Sequence, residues 1–157
     1  MWSRMSPISR LLIFTKGGLL GVIDFTKEKV EFHLEWPEDI SINGMALVAS
    51  LMNVLEKNKK EVITFEDILK YASPEAKILF GERGSRVLRK PFWLAYTNDT
   101  VDYLFVAEYE VKELRDQVVD FLKRLAAHLK DVPEEAILVC TEALKFAWET
   151  IVMQNTN

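Results

Sequence analysis

A chain of 157 residues is long enough for one domain with a core of its own, and its formal net charge of −4 lacks the basic footprint of a general nucleic-acid binder. At 49% apolar and 28% charged the composition is that of a globular protein, and the single cysteine, Cys140, excludes an internal disulfide framework and a thiolate zinc site. The opening MWSRMSPISR has no apolar signal-peptide core, and the apolar runs fall well short of the roughly 20 residues that span a bilayer, so the expectation is a soluble, cytoplasmic domain.

In chain order, the first element is a hairpin. Leu11 to Thr15 and Leu19 to Phe25 are strand-forming runs, and Gly17-Gly18 between them can supply the positive φ angles of a two-residue primed turn. Val30, Phe32, Leu34 and Trp36 then alternate with Glu31, His33 and Glu35, the period of a strand with one wet face, and Pro37 ends it. Over 42–57 the period changes. Val48, Leu51, Met52 and Leu55 form the stripe of an amphipathic helix that Ser41 or Asn43 would cap. A short helix is expected after Thr64, over FEDILKYA.

Three more extended segments follow: Lys77 to Phe80, Val87 to Thr97 with FWLAY, and Val101 to Tyr109. Asn98-Asp99 is placed to turn the chain between the last two. Two helices close the sequence. Val111 to Lys130 sets Leu114, Val118, Phe121, Leu122, Leu125 and Leu129 on one face. Pro133 suits the first turn of the last helix, Glu134 and Glu135 suit its dipole, and the helix is expected to run to about Met153.

The residues offer little for catalysis. A phosphate loop places its glycines before a helix, usually with a following Lys, whereas here Lys16 precedes the glycines and a strand follows them. Neither His33 nor His128 has a second ligand at metal-binding spacing. Cys140 in AILVCTEAL reads as a small core hydrophobe, and Glu108 with Glu110 reads as an edge-strand or solvated pair rather than paired acids. No nucleophile, base and orienting group assemble, so no catalytic, cofactor or metal residue is assigned and a non-enzyme is expected.

Two features remain. In RGSRVLRK, Arg83, Arg86, Arg89 and Lys90 bring four positive charges with no acid between them, which suits an acidic partner or anionic head groups, or simply a solvated loop. The last helix carries two apolar stripes. Ile137, Cys140, Leu144, Trp148 and Ile151 make one, and Val139, Ala143, Phe146 and Met153 make another on a different side. A helix apolar on two sides is sunk in a core or covered by something else, which makes Val139, Phe146 and Met153 the expected partner contacts.

LLIFTKGGLLGVIDF resembles the opening hairpin of longin-type domains of the longin/roadblock superfamily, and most of all the N-terminal domains of signal recognition particle receptor α subunits. The order hairpin, helix, three strands, two helices is similar to the longin plan along nearly the whole chain. The resemblance implies an α+β, profilin-like fold: an antiparallel sheet of about five strands, one helix on one face and two C-terminal helices on the other. It also implies a non-catalytic adaptor without a cofactor, binding a small Ras-like GTPase or another longin/roadblock subunit in membrane trafficking or protein targeting. Such a domain would meet the cytoplasmic face of a membrane only peripherally, through its partner or the basic run. The alternatives are a PAS- or profilin-like small-molecule sensor and a homodimeric structural subunit.

Overall fold

The structure is a computed structural model that describes residues 8–15, 18–25, 30–33, 62–64, 70, 74, 92–97 and 103–153. Among them are six strands: β1 (Arg10–Thr15), β2 (Gly18–Phe25), β3 (Val30–His33), β4 (Val62–Thr64), β5 (Phe92–Tyr96) and β6 (Leu104–Tyr109). All pair antiparallel in one sheet of order β3-β2-β1-β6-β5-β4. The α+β class is as expected, but the sheet has six described strands rather than about five. One of them, Val62–Thr64, falls where the sequence predicts only the lead-in to a short helix.

The sheet consists of two three-stranded halves that meet at β1 and β6. In the first, Thr15 pairs with Gly18, so residues 16 and 17 join β1 to β2 and Gly18 belongs to the strand. Gly18 is therefore part of β2, where the sequence predicts a turn residue. A bulge between Ile13 and Phe14 leaves Leu20 extra on β2, next to Gly21, where a missing side chain eases the local bend. In the second half, Tyr96 pairs with Phe105, which leaves a longer loop than a tight Asn98-Asp99 turn would. The Thr97 hydroxyl donates to the Tyr103 carbonyl across it at 2.8 Å.

Both faces of the sheet are buried. On one, Leu11, Ile13, Ile23, Leu94, Phe105 and Ala107 share a cluster with the two described helices. On the other, Leu12, Phe14, Val22, Ala95 and Val106 are buried as fully. Burial on both sides explains why β1 and β6 read as continuous apolar runs and not as alternation. The expected helix over 42–57, the short helix after Thr64 and the strand Lys77 to Phe80 lie outside the described residues.

A 3-10 turn (Lys112–Leu114) leads into α1 (Arg115–Leu129), which buries Val118, Phe121, Leu122, Leu125, Ala126 and Leu129. That is the expected stripe, except that Leu114 stays half-exposed at the helix entry. The second helix, α2 (Ala136–Ala147), starts three residues after Pro133, because the Glu135 N–H bonds to the Pro133 carbonyl at 2.7 Å and the first helical bond is Val139 N–H to the Glu135 carbonyl. Its last expected turns continue as a π-helix, Trp148–Met153. The helix α1 packs on α2 and β5, and α2 packs on β2 and β3, so both lie on the same sheet face. No helix among the described residues is long and apolar enough to cross a membrane.

Candidate functional site

The outward side of α2 and the first residue of the π-helix that continues it hold three of the four large apolar side chains exposed among the described residues. On a helix with a turn of 3.6 residues, Ile137 and Trp148 are eleven positions apart and point within roughly 20° of each other, roughly 16 Å along the axis. Ile137 is 56% exposed, Trp148 45% and Leu138, about a quarter-turn away, 40%. Thr141, Lys145 and Glu149 share this exposed arc, and Glu134 and Glu135 precede it. The result is a mixed surface, with apolar side chains at both ends and charge between them.

The opposite arc of α2 is built from small residues. Val139, Cys140, Ala143 and Ala147 are all buried, and their size lets the helix lie close to the sheet. This corrects the expectation that Val139 contacts a partner: the side chain is 0% exposed and sits in the core cluster. Phe146 is half-buried and already packed against the core. Its ring lies 5.5 Å from Phe121 and 5.2 Å from His128, with the Arg124 guanidinium 5.9 Å from its centroid. Phe146 therefore fastens α2 to α1. A contact between His128 Nε2 and Glu142 Oε2 at 3.2 Å closes the same seam at its wet edge. Met153 lies in the π-helical segment, and nothing is described of its side chain. Arg83, Arg86, Arg89 and Lys90 lie outside the described residues.

The two apolar stripes thus resolve into one inward arc and a broad exposed one. The sequence pattern puts Trp148 in one stripe with buried Cys140, and Phe146 in the other with buried Val139 and Ala143, so neither stripe coincides with the exposed arc. The run of Ala and Cys at helical spacing was the available signal for the buried face, because small residues mark close helix–sheet approach. Leu138 was in neither stripe.

A second site lies within the sheet. Arg10 on β1 stands opposite Glu108 on β6, and the two form a bidentate ion pair, Nε to Oε2 and Nη2 to Oε1, the latter at 3.2 Å. Their side chains are 4% and 0% exposed. Glu108 is therefore not an edge or solvated acid: β6 is a central strand, and only Glu110, beyond its end, is exposed. The pair shares the sheet face of Leu12 and Val106, with Asp24 opposite Arg10 on β2 and Trp93 opposite Glu108 on β5. A lone charge inside an otherwise apolar central strand was the signal for it.

Cys140 fits its reading as a core hydrophobe. Its Sγ faces the Leu20 carbonyl at 3.8 Å, and burial pushes the thiol up to about 11, well away from a thiolate nucleophile at neutral pH. Among the described residues no group of three or more His, Cys, Asp or Glu side chains is placed to hold a metal ion. No family model, curated protein or solved structure matches the chain.

Proposed function

We propose that this domain is a longin-like adaptor that binds a small Ras-like GTPase, or a second longin- or roadblock-type subunit, in membrane trafficking or protein targeting. The observation that carries the proposal is the outward side of α2 and its π-helical continuation, where Ile137, Leu138 and Trp148 stay exposed while the other side of α2 is anchored in the core. Exposed aromatic and aliphatic anchors among charged residues are the composition of an interface centre with a polar rim. The antiparallel sheet opening on a short hairpin, with two C-terminal helices on one face, agrees with the plan that the resemblance implies. The contacts assigned to a partner are thus Ile137, Leu138 and Trp148, in place of Val139 and Phe146.

The test is direct binding of the purified domain to a panel of Ras-like GTPases, each loaded with GDP or a non-hydrolysable GTP analogue, and to longin and roadblock subunits. One partner should bind, and the Trp148→Glu variant should lose at least tenfold in affinity while its unfolding curve stays that of the wild type. Binding that is indifferent to Trp148→Glu and Ile137→Glu would remove α2 from the interface. No binding to any of the panel would remove the adaptor reading itself.

A further inference from the structure

We propose that the buried Arg10–Glu108 pair is the key that fixes the register between the two halves of the sheet. The need for one follows from the connections. Two residues join β1 to β2, four join β2 to β3, and seven join β5 to β6, so short loops restrict those registers. The β1–β6 pairing instead joins residues 98 positions apart, and no turn restricts it.

Hydrophobic patterning does not restrict it either. In a sheet with one wet face, a slip of one residue exposes the apolar set and is strongly disfavoured. Here Leu11, Leu12, Ile13 and Phe14 on β1, and Phe105, Val106 and Ala107 on β6, are all 0% exposed, on both faces. A slip by one or two residues would exchange one buried apolar side chain for another, a change that cores accommodate by repacking. The helices span the junction too, but their contacts with it are apolar.

The charges behave differently. In the observed register Arg10 and Glu108 face each other and satisfy one another at two points. A slip of one residue sends the two side chains to opposite faces of the sheet, and a slip of two parts them by about 7 Å along the strands. Either takes the Glu108 carboxylate out of the fork geometry that offsets its desolvation, even in the two-residue slip that would set Glu110 opposite Arg10 and while Asp24 stays opposite Arg10 on β2. The pair therefore adds little to stability over an apolar pair, and its effect is to penalise every register but one. Buried polar groups that select one register are known from coiled coils, and the same physics applies at a sheet junction whose two faces are both dry.

The experiment is interstrand NMR contacts in the wild type and two variants. The wild type should give one set of β1–β6 contacts, linking residue 11 with 107 and residue 12 with 106. In Arg10→Leu with Glu108→Leu, that single set should be lost to two or more sets, or to broadening confined to β1–β6, while the β1–β2 contacts between residues 12 and 22 persist. A single native set in this variant would overturn the proposal. The charge-exchanged variant, Arg10→Glu with Glu108→Arg, made together with Asp24→Asn so that the new acid does not face a second carboxylate, should return the single set. If it populates several registers or does not fold, complementary charge is not what selects the register, and the proposal falls whether or not the apolar variant folds.

Discussion

Replacing Phe146 separates an internal role from a docking role. If its ring fastens α2 to α1, as its contacts with Phe121, His128 and Arg124 indicate, the variant Phe146→Ala loses stability first. Full truncation of a buried Phe costs about 3–5 kcal/mol, and Phe146 is half-buried, so the packing loss is about 2 kcal/mol. The tilted pair with Phe121 adds about 0.5–1 kcal/mol, and the contact with Arg124, whose side chain is 47% exposed, about 0.5 kcal/mol. The expected total is about 3 kcal/mol, a fall of roughly 6–12 °C in Tm for a chain of this length. Phe146→Leu keeps most of the area and should lose only the aromatic part, about 1 kcal/mol. Urea unfolding followed by circular dichroism reads both, with an unchanged slope showing that the transition is still the same one. A double-mutant cycle with Phe121→Leu should return a coupling of about 0.5–1.5 kcal/mol. A wild-type urea midpoint for Phe146→Ala, or zero coupling to Phe121, would mean that the ring is not engaged and would return it to the surface.

Glu108→Leu alone should cost about 3–5 kcal/mol, because it leaves the Arg10 guanidinium buried without its carboxylate, whereas Arg10→Leu with Glu108→Leu should unfold within about 1–2 kcal/mol of the wild type; equal losses in the two would refute this. Cys140 titrates at about 11 when folded against an ordinary 9.0, so the unfolded chain gives up a proton first. Stability should fall between pH 9 and 11 by up to about 2–3 kcal/mol, and the stability difference between wild type and Cys140→Ala should shrink across that window; a flat difference would contradict the burial of the thiol. Glu142→Gln should cost less than about 1 kcal/mol, and less again in 1 M salt, since both partners at the His128 contact are about one-third exposed. Trp148→Ser and Ile137→Ser should each cost less than about 2 kcal/mol of unfolding free energy, in contrast to Leu122→Ala at about 2–5 kcal/mol.

Much of the secondary structure follows from the chain alone, because periodicity is a local property. The LLIF and LLGVIDF runs around a glycine pair, the β-branched and aromatic run ending at Tyr109, and the stripe from Val118 to Leu129 each specify an element without reference to the rest. Boundaries were less legible. That Gly18 belongs to β2 is decided by its pairing with Thr15, the helix α2 begins where the Pro133 carbonyl has already found a donor, and the start of β6 depends on which of its residues meets Tyr96. The meaning of individual polar and bulky residues was decided in three dimensions. Glu108 looks solvated beside Glu110 until β6 is seen at the centre of the sheet, where Arg10, 98 residues away, pairs with it at two points. Phe146 and Trp148 are two positions apart and equally apolar, and about 200° of helical rotation sends one against α1 and the other to solvent. Local patterns report the period of a helix or strand. Which side of it is covered is set by neighbours distant in sequence, and only tertiary structure supplies those.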